Sequence, residues 1–153
     1  MKILMVCLGN ICRSPLAEGI LRRKIEQNGL DWEVDSAGTS AWHKGELPDP
    51  RSRHTAAQHG LDLTSQRGRQ IQLADLDRFD LVLVMDQSNH QDVLSLTKGE
   101  AQREKVKKIL EFSRSMPGQD VPDPYWDDDG FEKVYQMLDE ACEGLIAHYA
   151  DKD

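Results

Sequence analysis

Eight residues near the N-terminus, Cys7-Leu8-Gly9-Asn10-Ile11-Cys12-Arg13-Ser14, have types and spacing suited to anion chemistry. A cysteine, five residues, then arginine and serine set a soft nucleophile beside a planar cation that can fork two parallel hydrogen bonds. Gly9 and Asn10 tolerate positive φ, so the chain can curl and bring its backbone N–H groups together as an anion nest. Ser14-Pro15 reads as an N-cap and first helical residue, which would aim the positive end of a helix at the same point. A cysteine held in such a cup is favoured as the reactive thiolate. Ser14 is close enough in sequence to donate its hydroxyl to the sulfur. One segment thus offers a nucleophile and a clamp for a phosphate-like oxyanion.

Blander readings of these residues exist. Cys7 alone would more often be a small buried hydrophobe. A zinc site needs about four ligands, usually as two close pairs, whereas the third cysteine, Cys142, stands alone far down the chain. The glycine-rich nucleotide-binding patterns are absent. Phosphate-ester chemistry also needs an acid for the leaving group and then a base for water, and one carboxyl can serve as both. Among the 27 acidic residues, Asp49 has a ready role as a helix N-cap before Pro50. Asp127, Asp128 and Asp129 suggest a solvated turn capping the last helix. Asp123 differs: it lies between Pro122 and Pro124 on stiff backbone, with no helix expected directly after it. Leu8, Trp42, Tyr125 and Trp126 could supply an apolar slot for a ring.

These groups need elements to position them. Ile3-Leu4-Met5-Val6 is an apolar run suited to a strand buried on both faces. Leu16, Ile20, Leu21 and Ile25 give the next segment a helical apolar face that ends at Asn28-Gly29. Trp32-Glu33-Val34 begins a second strand ending at 36–38, and Asp49-Pro50 opens a helix to about His59-Gly60. Gln70-Ile71 is a short extended piece and 81–85 the clearest buried strand. Ser88 is expected to cap a helix through about Leu96, Val106–Leu110 to form the fourth strand, and 113–129 to be loop. Phe131, Val134, Leu138, Ala141, Leu145, Ile146 and Tyr149 recur at helical spacing. Strands alternating with helices imply an α/β fold with a parallel sheet, whose ligands bind beyond the carboxyl ends of the strands. The loop at residues 7–14 occupies such a place.

At 153 residues, the chain has the length of one domain. Nineteen basic and 27 acidic residues give a net charge of −8, which argues against nucleic acid as a partner. It also requires that any anionic substrate meet locally concentrated positive charge. Three cysteines are too few for a disulfide framework, no apolar run reaches membrane-spanning length, and the N-terminal run is too short for a signal peptide. A cytoplasmic protein is expected, with no membrane insertion.

Val6-Cys7-Leu8-Gly9-Asn10-Ile11-Cys12-Arg13-Ser14-Pro15 resembles the active-site signature of the low-molecular-weight protein tyrosine phosphatases, and Asp123-Pro124-Tyr125-Trp126 resembles that family's general-acid loop. Asp35-Ser36-Ala37-Gly38-Thr39-Ser40 and Met85-Asp86-Gln87-Ser88-Asn89 also resemble family segments. The resemblance covers essentially the whole chain, read as a single domain over 1–153. It implies a three-layer fold, a four-stranded parallel sheet with helices on both faces, and no metal or other cofactor. It implies Cys7, Arg13 and Asp123 as catalytic residues. Leu8, Gly9, Asn10, Ile11, Cys12, Ser14, Trp42, Tyr125 and Trp126 would bind phosphate and substrate, and Asn10, Ser14 and Ser36 would hold the loop. Relatives carry a histidine in that network, where the matching stretch here offers Gln66; His54 and His59 are expected on a helix surface. Cys12 would protect an oxidised Cys7 as a disulfide. The implied substrate is a phosphotyrosine protein or small phosphate ester, inorganic phosphate is the product, and a monomer is expected. The alternatives are an arsenate reductase on the same scaffold, disfavoured because residues 85–99 hold no relay cysteine, and an inactive phosphoprotein-binding module.

Overall fold

A computed structural model describes residues 1–150. Its centre is a parallel sheet of four strands, β1 (Lys2–Cys7), β2 (Glu33–Gly38), β3 (Leu81–Val84) and β4 (Val106–Lys108), in the order β2-β1-β3-β4. Alternation along the strands builds two cores. Ile3, Met5, Cys7, Leu81, Leu83 and Met85 face one side; Leu4, Val6, Val82 and Val84 face the other. The first face is covered by α1 (Arg13–Gln27) and α6 (Phe131–Tyr149), through Leu16, Ile20, Val134, Leu138 and Leu145. The second is covered by α3 (Asp75–Arg78) and α4 (Gln87–Leu94), through Leu76 and Val93. α2 (Pro50–Gln58) packs on α1 and α6, and α5 (Glu100–Arg103) precedes β4. The result is the three-layer α/β arrangement the resemblance implies.

Several local expectations change. α1 starts at Arg13, with Cys12 as its N-cap residue. Ser14 is therefore inside the helix, and its hydroxyl is free for the loop instead of a cap. α4 is capped by Asp86, which accepts from Asn89 N–H at 2.8 Å, and not by Ser88. β4 stops at Lys108, because Ile109–Phe112 tightens into a 3₁₀ turn that buries Ile109 and Leu110. A 3₁₀ turn, Pro124–Trp126, does follow Asp123, whose side chain caps it. Asp127 caps a second turn, Asp128–Gly130, while α6 itself begins after Gly130 with no side-chain cap. His54 is exposed on α2, but His59 stacks on Tyr135 with centroids 3.8 Å apart and pairs with Glu132.

The cup sits at the carboxyl end of β1, where α1 enters. Only Asn10 in this segment takes positive φ, at 57°. Gly9 has a different constraint: a Cβ there would come 3.1 Å from the His43 ring. Gly38, at the end of β2, has the sharpest one. A Cβ there would lie 2.8 Å from Leu8 O and 3.1 Å from Asn10 N, so the loop can cross β2 only over a glycine.

Candidate active site

The carbonyls of the loop are engaged on its outer side. Cys7 O accepts from Thr39 N–H, Leu8 O from Ser40 N–H, Ile11 O from Asp49 N–H, and Cys12 O from the Ser52 hydroxyl. In a trans peptide, the N–H after each carbonyl points the opposite way. The amides of Leu8, Gly9, Cys12 and Arg13 therefore turn away from those partners, as an anion nest requires.

Side chains lock this shape. Asn10 Nδ2 donates to Ser14 Oγ at 2.8 Å and to Ser36 Oγ at 3.0 Å, while its Oδ1 accepts from Arg69 N–H at 3.0 Å. These bonds hold a non-glycine residue in the left-handed region. The sulfur of Cys7 lies 3.1 Å from Ser14 Oγ. Gln66 is buried behind α1, where it donates to Pro15 O at 3.1 Å. It therefore does not take the place in the network that the comparison of motifs suggested for it.

Arg13 is 2% exposed. Its Nη1 donates to Asp86 at 2.7 Å and to Val121 O at 2.9 Å, and its Nη2 lies 3.8 Å from Asp123 Oδ2. Burial works against the guanidinium charge, but Cys7, Asp86 and Asp123 more than offset it and push the Arg13 pKa above the usual arginine value. Asp86 is a site residue that reading the sequence did not pick out. Asp123 is held by an Asx turn, with Oδ1 accepting from Tyr125 N–H at 3.0 Å.

These groups share a cavity of about 260 Å³ lined by Cys7, Leu8, Gly9, Ile11, Cys12, Arg13, Trp42, His43, Asp123, Tyr125 and Trp126. Leu8, Trp42 and Trp126 form an exposed rim, and Tyr125 and Trp126 meet edge to face with centroids 4.8 Å apart. His43, paired with Glu46, is a wall residue that sequence reading passed over. Of the expected site residues, Asn10 and Ser14 act from beneath the cup, and Ser36 lies one layer further in.

The three cysteines sit in different surroundings. All are free. Burial above all pushes the Cys12 thiol far up, with Asp49 and Cys7 adding to the effect. Burial raises Cys142, inside α6, to about 12. Among the described residues, no cluster of three or more histidine, cysteine or acidic side chains is arranged to hold a metal ion, and no helix is long and apolar enough to cross a membrane.

The fold and this cup define a class, the phosphatases built on a phosphate-binding loop after the first strand of a parallel sheet. Residues 2–153 match the profile of the low molecular weight phosphotyrosine protein phosphatases, and the chain belongs to that family. A low molecular weight protein-tyrosine-phosphatase of Streptomyces coelicolor is 40% identical over 151 residues, spanning 95% of this chain and 92% of its own. The crystal structure of a protein tyrosine phosphatase from Entamoeba histolytica superposes with a TM-score of 0.94 at 35% identity, covering 99% and 98% of the two chains. A Drosophila arginine phosphatase superposes with a TM-score of 0.91 at 34% identity over the full length of both.

Proposed function

We propose that residues 1–153 form one phosphatase domain that hydrolyses phosphotyrosine and small aryl phosphates through a phosphocysteine intermediate. The observation that carries this reading is the convergence of Cys7, Arg13 and Asp123 on one cavity whose mouth is apolar and aromatic. The Cys7 thiolate attacks phosphorus in line, forming the S–P bond as the P–O bond to the phenol breaks. The loop amides and Arg13 stabilise the equatorial oxygens. Asp86 and Val121 hold one end of the guanidinium, leaving Nε and Nη2 to meet the phosphoryl group. Asp123 gives its proton to the departing phenolate. As a carboxylate it then takes a proton from water, whose oxygen attacks phosphorus; the S–P bond breaks, and inorganic phosphate leaves with the thiolate restored.

The slot between Leu8, Ile11, Trp42, Tyr125 and Trp126 suits a planar ring. Asp123 is the one carboxylate in the wall, which favours phosphotyrosine over a phosphorylated guanidinium that would call for additional acidic partners. Arsenate reduction lacks support, since the remaining cysteine besides Cys7 and Cys12 is buried in α6. The test is hydrolysis of p-nitrophenyl phosphate and a phosphotyrosyl peptide, beside phosphoarginine and thiol-dependent arsenate reduction. Turnover of the first two that is lost in Cys7→Ser is expected. Retained turnover in that variant, or preference for phosphoarginine, would overturn the reading. We place the enzyme in the cytoplasm as a monomer, away from nucleic acid and membranes. Cys12, beside Cys7 on the cup, is the candidate to trap an oxidised Cys7 as a disulfide. Recovery from peroxide on adding thiol, lost in Cys12→Ser, is the expected result.

A further inference from the structure

A second groove, of about 390 Å³, opens beside the active-site cavity, and the two share a ridge made by the exposed side chains of Leu8 and Trp42. Its floor lies where the chain extends the sheet past β2. Gln70 bridges to Gly38, Ile71 N–H donates to Gly38 O at 2.8 Å, and the Ile71 side chain is buried. Leu96, past the end of α4, adds a half-buried apolar wall. Most polar donors of the groove are engaged within the fold. The Ser40 hydroxyl donates to Leu8 O at 3.1 Å, the Ser95 hydroxyl to Asp92 O at 2.6 Å, and Gln70 Nε2 to Thr39 O at 3.2 Å. Asp92 differs. It is exposed in the last turn of α4, and its carboxylate has no ion pair among the described residues. No lysine or arginine lines the groove. The carboxylates around the cavity mouth are already faced by basic groups: Asp123 by Arg13, Asp128 by Arg51 and Glu46 by His43.

We propose that this groove is a substrate subsite that takes the side chain of a lysine or arginine lying within about three residues of the phosphotyrosine. The proposal rests on phosphotyrosine being what the cavity holds, and it says which phosphotyrosines are preferred. An extended peptide advances about 3.3 Å per residue, so with the ring in its slot the next few residues can cross the Leu8–Trp42 ridge. A basic side chain suits what lies beyond: its methylenes run along Leu8, Ile71 and Leu96, and its charged head reaches Asp92. The carboxyl end of α4 adds negative potential at the same place. An acidic side chain would meet Asp92 with no cation in the groove to compensate. The net charge of −8 acts in the same direction over a longer range.

The test uses the full chain and a set of phosphotyrosyl peptides: a parent flanked by alanine and glycine, and copies carrying one lysine or one glutamate at each of about three positions on either side. The kcat/KM of each peptide is scaled to that of p-nitrophenyl phosphate, which is too short to cross the ridge. In the wild type, lysine at a position that reaches the groove should raise kcat/KM about twofold to fivefold, through KM. Glutamate at the same position should lower it, and added salt should shrink both effects. In Asp92→Lys the order at that position should invert, with glutamate above lysine. In Asp92→Asn both peptides should approach the parent.

A lysine preference that survives in Asp92→Lys would place the selecting charge elsewhere. Lysine and glutamate peptides that are indistinguishable at every position in the wild type would mean that the peptide does not enter the groove. A fall in Asp92→Lys as large for the parent as for the lysine peptide would mean that Asp92 supports the cup and not a flanking residue. Any of these overturns the proposal. If Asp92→Lys fails to fold, the loss of preference in Asp92→Asn, which keeps the shape of the side chain, decides. Binding of the same peptides to Cys7→Ser, by calorimetry, reads the groove without turnover. A wild-type chain that hydrolyses no phosphate ester while the lysine peptide binds best therefore counts against the catalytic reading alone. Hydrolysis of the parent with no lysine preference counts against the groove alone, and a chain that neither binds nor hydrolyses any of the peptides overturns both.

Discussion

The two sides of the cavity are held in different ways. The cup is deep and its polar side chains interlock: Asn10, Arg13 and Ser14 are at most 3% exposed, and each is bound to residues from other elements. The acid loop at 122–130 is shallow and mostly self-supporting, through Asp123 to Tyr125 N–H and Asp127 to Asp129 N–H. Arg51 ties it to the rest of the fold, beside the packing of Tyr125 on Ile11 and Cys12. That guanidinium binds Asp49 and Asp128 and lies 5.4 Å from the Tyr125 ring centroid and 4.8 Å from that of Phe131. Trp126, next to it, is 86% exposed. On the proposed mechanism the contrast follows from the chemistry. Charge stabilisation on a phosphoryl group demands donors fixed before the substrate arrives. A wall that delivers a proton to leaving groups of differing shape has less need of a rigid scaffold.

The largest effect should come from the cup. Cys7→Ser replaces a thiolate with a hydroxyl that has no general base within the cup, and kcat should fall by about 10⁴-fold or more. The fold should stay intact, because serine fits the same space; an unfolded variant would show that the sulfur is needed for packing. Asp123→Ala should come next, at about 10²–10³-fold for alkyl phosphates and much less for p-nitrophenyl phosphate, whose leaving group needs little protonation. Its Tm should barely change, since the carboxylate makes one turn hydrogen bond at a partly exposed position. Equal losses for both kinds of leaving group would remove Asp123 from the acid role. A large fall in Tm would erase the contrast between the two sides.

The same contrast governs what could be read before the structure was known. The apolar runs of β1 and β3, the spacing of α6 and the Cys7–Ser14 segment are local signals, and they located the sheet, the long helix and the cup. α3 and α5 have four residues each, too short for a helical period to show. The sequence pattern carries β4 on to Leu110 because Ile109 and Leu110 are apolar enough for a strand, yet they bury themselves by turning into a 3₁₀ coil. Asp86 escapes for another reason. Its partner is 73 residues away, so only the pairing of β1 with β3 brings it to Arg13. Gly38 looked like a strand terminator, and its contact with Leu8 and Asn10 exists only once β1 and β2 are paired.

Gly38→Ala tests how little movement the cup tolerates. The new methyl meets backbone atoms that cannot swing aside, so either the loop lifts or the end of β2 shifts. Overpacking of this kind costs about 1–3 kcal/mol, a drop in Tm of roughly 2–12 °C for a chain of this size. With the amides displaced from the phosphoryl oxygens, kcat should fall about tenfold or more, and affinity for inorganic phosphate should weaken in parallel. Wild-type phosphate affinity in this variant would mean that the cup is more adaptable than its hydrogen bonds suggest.

The smallest effect should come from the outer wall. Arg51→Ala removes the tie between α2 and the acid loop but touches neither Cys7 nor Arg13. The Tyr125 and Trp126 face should loosen, raising KM for aryl phosphates about twofold to fivefold and lowering kcat by no more than that. The variant also has a pH signature with a definite sign. The hydrogen bonds and charge of Arg51 outweigh burial and hold the Asp49 carboxyl below the ordinary aspartate range. A carboxyl depressed in the folded state stabilises the fold above its unfolded pKa and loses that contribution as pH falls through the folded value. The Tm advantage of the wild type over Arg51→Ala should therefore be full at neutral pH and shrink as the pH drops below about 4. An advantage that persists unchanged into acid would mean that Arg51 acts by packing on Tyr125 and Phe131 instead of through Asp49, and that the outer wall is held by its aromatic rings.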